Sequence, residues 1–283
     1  MQSNLRNYVQ KITKLPTIPA VAAEILTIID NEKTDVKELA KIVKNDPALS
    51  AKVLSLANSA FFGGSHVLTG LDQAIVRIGL QNTRNIVLGV SLLTSMGGTG
   101  GKKTAADYER LFQHSFTVGA VAQYMTTAAV AGMEHLSPFL GGILHDIGLL
   151  VLTSQFPAEY HQIIQTVATG VPLLAAEDEV IGFSHADIGA WLAAKWRLPA
   201  KVCAVIEHHH RPMAAAADDL ALVALIHAAD ILVSRHLLPP VAGDPAFAPD
   251  HDALSLLGLE EDGLQRLAGE IDQNGVLDNL LVP

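Results

Sequence analysis

Apolar residues recur along this chain at spacings of three and four, the pattern of helices with one buried face. No convincing run alternates strictly between apolar and polar, as a half-buried strand would. Pro19 precedes the apolar run VAAEILTIID, and Thr34 and Asp35 stand as caps before VKELAKIVKN, with Glu38 near the reciprocal position of a capping box. Asp46-Pro47 opens ALSAKVLSLAN with proline in the first turn. FFGGSHVLTG reads as a loop, and LDQAIVRIGL and the segment Thr83 to Met96 as two helices. Further helices are predicted near Asp107 to Ala131, Pro138 to Gln155, Ala158 to Thr169, His185 to Trp196, Pro199 to His209 and Asp219 to His236. PPVAGDPAFAPDHD is turn-rich, and a short helical tail follows.

The expected fold is therefore all-α. GGTGGKK, Gly97 to Lys103, interrupts the pattern and divides the chain into an N-terminal helical lobe over 1–100, a second helical lobe over 101–240 and a helical tail over 241–283. It is not a phosphate-binding loop. Gly101-Lys102 would need glycine at position 96, which is Met96, Lys103-Thr104 follows a lysine, and no strand precedes it.

Composition agrees with packed helices. Hydrophobic residues make up 49% and aromatics only 5%, so the core of this 283-residue chain must be largely Leu, Ile, Val and Ala. The net charge of -10 repels phosphate backbones and argues against a nucleic-acid binder. The single cysteine, Cys203, permits no disulfide within the chain and suits a small buried apolar role in a reducing, cytoplasmic setting. MQSNLRNYVQ carries no apolar signal segment. IVLGVSLL and LALVALIHAADILV fall short of the ~20 apolar residues of a membrane span or carry His and Asp, so a soluble protein without membrane attachment is expected.

The anomaly is where His and Asp fall. Spacing places His114 on one face with Leu111, Val118, Val121 and Met125, and Asp230 with Val223, Ile226, Val233 and Leu237. A carboxylate there is costly unless paired or bound to a metal. His145 and Asp146 interrupt the apolar GGILHDIGLLVL, His185 opens a helix, and EHHHRP puts His208, His209 and His210 at the end of another. Each has an ordinary alternative: a satisfied core histidine, a helix-end charge against the dipole, or an Asp230–Arg235 pair. Together, imidazoles and carboxylates suit a divalent transition metal held within a helical bundle, with Fe, Mn, Zn and Ni not distinguished. No HExxH motif and no nucleophile elbow occur.

The order His114, His145-Asp146, His185, His208-His209, Asp230 resembles the HD superfamily of metal-dependent phosphohydrolases, and GFSHADIGAWLAAKWRLP resembles the segment that supplies the third histidine in its HD-GYP branch. LPTIPAVAAEIL, KNDPALSAKVLSLANSAFFG and LDQAIVRIGLQNTRNIVLGV are similar to the HDOD family, the HD-related output domain of bacterial signalling proteins, over Leu15 to Pro212. That resemblance implies a two-lobed helical fold and a regulatory role exercised on a signalling protein partner. It also implies a first metal at His114, His145, Asp146 and Asp230, with Asp146 bridging to a second at His185, His208 and His209. An active member would act on a nucleotide or other phosphate ester, with Asp146 at the catalytic metals and with Arg211, Lys195 or Arg197 available as cations. RPMAAAADD follows the paired histidines where a cyclic di-GMP phosphodiesterase carries Gly-Tyr-Pro, so that activity is not expected.

Overall fold

The computed structural model describes residues 2–12, 17–29, 31, 33–63, 66–96, 102–130, 138–238 and 248–277. Among them there are helices and turns and no strand. In chain order the helices are α1 (Gln2–Lys11), α2 (Ala20–Ile28), α3 (Val36–Lys44), α4 (Pro47–Ala57), α5 (Leu71–Ile78), α6 (Leu80–Met96), α7 (Lys102–Ala128), α8 (Pro138–Leu144), α9 (Ile147–Gln155), α10 (Pro157–Val167), α11 (Leu173–Ile181), α12 (His185–Lys195), α13 (Ala200–His208), α14 (Ala217–Leu232), α15 (His251–Leu256) and α16 (Glu261–Gln273). The chain forms two compact units, Thr17–Ser95 with Arg266–Pro283, and Met1–Pro16 with Met96–Gln265. Gly97 to Gly101, on which the expected lobe boundary falls, and residues 239–247 of the turn-rich stretch lie outside the described residues.

In the unit built on Thr17–Ser95, the helix starts follow the capping chemistry. Asp35 accepts from the Glu38 N–H at 2.8 Å, and Asp46 accepts from the Leu49 N–H at 3.0 Å ahead of Pro47. The stretch after α4 is a short 3₁₀ turn, Ala60–Phe62, that leaves through Gly63 at φ 68°. Asn58 pins the returning chain by bonding both the N–H and the carbonyl of Leu68. Gly79 breaks α5 from α6, so α6 begins at Leu80, three residues ahead of the sequence estimate. Buried Arg84 on α6 donates to the carbonyls of Ile29 at 3.2 Å and Asn31 at 2.9 Å, satisfying the exposed end of α2.

In the unit containing Met96–Gln265, α7 packs on α8 and α14, and α12 packs on α9 and α13. Glycines make the closest of these approaches. A Cβ on Gly142 would strike the backbone of Gly119 where α8 crosses α7, and one on Gly148 would strike the carbonyl of His185 where α9 meets α12. The predicted single helix from Pro138 to Gln155 is two helices, broken at His145 and Asp146. Every residue from Pro138 to His145 and from Ile147 to Thr153 is buried, so apolar periodicity carries no phase from which to see the break. The stretch Ala217–Leu237 is 21 residues long and apolar, but 67% of its most apolar window is buried within the protein.

Candidate metal centre

The break between α8 and α9 creates the site. His145 is fully buried, and its Nδ1–H donates to the carbonyl of Gly142 at 2.7 Å, which turns Nε2 inward. Asp146 follows as the first residue of α9's cap and presents its two oxygens in different directions. Oδ2 lies 3.2 Å from Nε2 of His145 and 3.9 Å from Nε2 of His114. Oδ1 lies 3.3 Å from Nε2 of His185 and 3.5 Å from Nε2 of His209. One carboxylate is thus shared between two groups of imidazoles.

The first group is completed from α7 and α14. His114 Nε2 is 3.0 Å from Oδ1 of Asp230, and both side chains are buried. Ser234, one turn further on, donates its hydroxyl to the same Asp230 oxygen at 3.1 Å. The second group comes from α12 and the end of α13. His185 is the first residue of α12, behind a capping box of Ser184 and Asp187. Its Nδ1–H donates to Glu177 at 2.8 Å, and its backbone N–H donates to the other Glu177 oxygen at 2.9 Å. His209 donates from Nδ1 to the carbonyl of Ile206 at 3.0 Å. The Nε2 atoms of His209 and His210 stand 3.3 and 3.0 Å from Nε2 of His185.

The structure brings together His114, His145 and Asp230 as one set of donor atoms, and Asp146, His185, His209 and His210 as another, each within 4.8 Å. His208, placed with the second metal by the family pattern, lies outside both sets, and His210 joins the second. The inward face of α13 runs Val202, Val205, Ile206, His209, and its neighbour His208 is rotated off that face and half-buried. The chain then turns, with the Arg211 N–H bonded to the His208 carbonyl at 2.8 Å, and swings the His210 ring back toward His185. Helical spacing within α13 finds His209. His210 depends on that turn and leaves no trace in the spacing.

Two further residues escaped the sequence reading. Glu177 is fully buried on α11 against His185. His227 on α14 donates from Nδ1 to the His209 carbonyl at 2.7 Å and accepts the Asp250 N–H at Nε2, 2.9 Å away.

Charge within the group is strongly biased. Burial disfavours a charged His145, but Asp146 and Asp230 outweigh it and push its pKa up to about 9. Burial likewise opposes charge on His185, and Glu177 and Asp146 raise it to about 10. Burial holds His209 below the usual imidazole value and, with His209 and His185 beside it, holds His210 well below. Burial would raise both carboxylates, yet His145 holds Asp146 well below the ordinary range and His114 holds Asp230 low.

The donor set fits a divalent transition metal. The buried Nε2 of His145 has no hydrogen-bond partner, although a carboxylate oxygen lies 3.2 Å away. His145, His185 and His209 each commit Nδ1 to an acceptor, so their Nε2 atoms converge, the arrangement outer hydrogen bonds impose on metal-bound imidazoles. Imidazole with carboxylate is the ligand chemistry of Zn, Fe, Mn and Ni.

Buried His and Asp side chains thus converge, within an all-helical unit, from α7, the α8–α9 break, α12, the turn after α13 and α14. The HDOD domain profile matches residues 15–212, and the chain belongs to the HDOD family. A curated relative of uncharacterised function from Treponema pallidum (strain Nichols) is 28% identical over 203 residues, 71% of this chain, and the match spans 38% of that protein's length. Among solved structures, an HDOD domain protein of unknown function from Geobacter sulfurreducens superimposes with a TM-score of 0.80 at 22% identity, covering 99% of this chain and 98% of the other. A protein from Shewanella amazonensis SB2B, named a candidate phosphohydrolase, superimposes with a TM-score of 0.66 at 26% identity, covering 97% and 96%.

Proposed function

We propose that this chain is a regulatory output module of bacterial signal transduction that holds one or two divalent transition-metal ions and acts on a protein partner. The observation that carries the metal half is the divided carboxylate of Asp146, with one oxygen toward His114 and His145 and the other toward His185 and His209. His114, His145, Asp230 and Asp146 would hold a first ion, and Asp146, His185, His209 and His210 a second. Membership of the HDOD family supports the signalling half.

A bound ion would supply Lewis acidity and lower the pKa of a water ligand. The chain's own residues do the rest. The Gly142 and Ile206 carbonyls and the Glu177 carboxylate fix three rings in the form that offers Nε2. Burial of His114, His145, His185 and His209 keeps bulk water from those donors. Only Asp146 and His210 reach partial exposure, so exchange with solvent or ligand takes place on their side.

A second reading, a metal-dependent phosphohydrolase acting on a phosphate ester, draws on that accessible edge and on the likeness to the Shewanella protein. Against it, the ion pairs of the group join only histidines to carboxylates, and Arg211, Lys195 and Arg197 are exposed. Charge on a transferring phosphoryl group would then have to be met by the metal ions alone. The test is elemental analysis of the purified chain followed by a phosphoester panel on the metal-loaded protein. Stoichiometric metal without turnover supports the regulatory module. Turnover abolished by Asp146→Ala in a folded protein replaces it with the hydrolase. Absence of metal after reconstitution removes the centre from both.

A further inference from the structure

Glu177 is a carboxylate with no exposure, held where an unpaired charge would be costly. It forms an ion pair with His185. Oε1 takes the His185 ring Nδ1–H at 2.8 Å, while Oε2 takes the backbone N–H at 2.9 Å and lies 3.0 Å from the same ring nitrogen. A purely structural explanation would make Glu177 the anion that caps α12. That need is already met: Ser184 and Asp187 form a complete capping box there. The bonds to the ring are therefore surplus to capping. What they do is hold a proton at Nδ1, so that Nε2 is left to meet Asp146, His209 and His210.

The two donor sets are also unequal. The first offers two imidazoles with Asp230 and a share of Asp146, whereas the second offers three imidazoles with only its share of Asp146. The second set is short of negative charge, and Glu177 lies one ring away from it.

We infer that Glu177 is a positioning residue for the second metal position: it fixes the His185 tautomer and lends anionic character through the imidazole, and without it the His185, His209, His210 set holds an ion more weakly. The inference rests on the metal-centre reading above. It assigns the two positions different dependence on Glu177, because the side-chain bonds of Glu177 go to His185 of the second set.

The experiment is titration of the full metal-free chain with Co(II), followed by its visible absorption and by calorimetry, for the wild type and Glu177→Gln. Glutamine keeps the size of glutamate, but its amide must turn a donor toward one of the two N–H groups of His185. The expected result is two Co(II) ions in the wild type and a weakening of the second by about 10–100-fold in the variant, with the first unchanged. A second readout is the ¹⁵N-histidine spectrum of the zinc-loaded wild type, in which the His185 Nδ1–H proton should lie far downfield through its bond to a carboxylate, and should move upfield in Glu177→Gln. Equal loss of both ions, or retention of both at wild-type affinity, overturns the inference while leaving the centre in place. Failure of the wild type to bind Co(II) overturns the centre itself. If Glu177→Gln does not fold, the wild-type resonance decides: a downfield Nδ1–H assigned to His185 supports the inference and its absence overturns it.

Discussion

His227 holds the main chain of His209: its Nδ1–H donates to the His209 carbonyl at 2.7 Å, and its Nε2 accepts the Asp250 N–H at 2.9 Å. A ring on α14 thereby ties the turn carrying two candidate donors to the start of α15. Replacing it, His227→Ala, strips a buried carbonyl of its donor and a cap N–H of its acceptor. Each loss costs about 1–3 kcal/mol. Thermal unfolding of the variant should show a lower midpoint, and calorimetry should show weaker metal binding through the loosened His209–His210 turn.

Asp146 faces both donor sets, so its loss cannot be confined to one. Asp146→Asn removes the anion that offsets four buried imidazoles and should abolish binding at both positions. Elemental analysis of the variant should find no stoichiometric metal, in contrast to Glu177→Gln, which should keep the first ion at wild-type affinity. Retention of one ion in Asp146→Asn would show that the carboxylate is not shared.

The metal-free protein should be stable over a limited pH range. His145 and His185 have folded pKa values of about 9 and about 10, above the ordinary 6.5. A raised imidazole pKa gives stability that is fully present below about pH 6.5 and lost as pH rises through the folded values. Asp146 and Asp230 are lowered, so their contribution is present above the ordinary carboxylate pKa and lost as pH falls through the folded one. His209 and His210 are lowered as well, so the unfolded chain binds protons that the fold refuses, and stability also declines as pH drops below about 6.5. Urea denaturation in the presence of a chelator should therefore show an alkaline decline through about pH 9–10, and saturation with Zn(II) should abolish it.

Metal uptake should release protons. His145 and His185 carry charge in the metal-free protein at neutral pH and must shed it to coordinate. Calorimetric titration at pH 7 in buffers of different ionisation enthalpy should return about two protons per chain at full loading. A value near zero would mean that these rings are already neutral.

Gly148 lies against the His185 carbonyl where a Cβ would collide with backbone. Gly148→Ala must push α9 from α12 and should cost about 1–3 kcal/mol. It should also weaken the second ion more than the first, since it displaces His185 and not His114. Denaturant melts and the Co(II) titration measure the two effects.

Much of this was readable in the chain because helical phase is a local property. His114 and Asp230 sit on faces otherwise made of Leu, Val, Ile and Met, and that conflict between polarity and position is visible without coordinates. Capping at Asp35 and Asp46 is equally local. The break at His145–Asp146 was hidden because the residues on both sides are buried all round, leaving no polar face to change phase. That His210 rather than His208 joins the second set was hidden because donor choice there depends on a turn after the helix. Glu177 and His227 were hidden for another reason: their roles consist of single hydrogen bonds to ring or backbone atoms, and such bonds depend on how neighbouring helices are set together.

The pairing of His114 with Asp230 joins residues 116 positions apart. During synthesis the histidine leaves the ribosome long before its partner exists, and α8, α9, α12 and α13 must be made in between. The nascent chain therefore passes through a long interval in which His145 and Asp146 are present but the first donor set is incomplete. Under the proposed reading, the first metal position can be completed only once α14 has been made. A chain cut short before α14 would carry every donor of the second set but lack Asp230, so under the proposed reading occupancy of the first position alone would report whether the domain was finished.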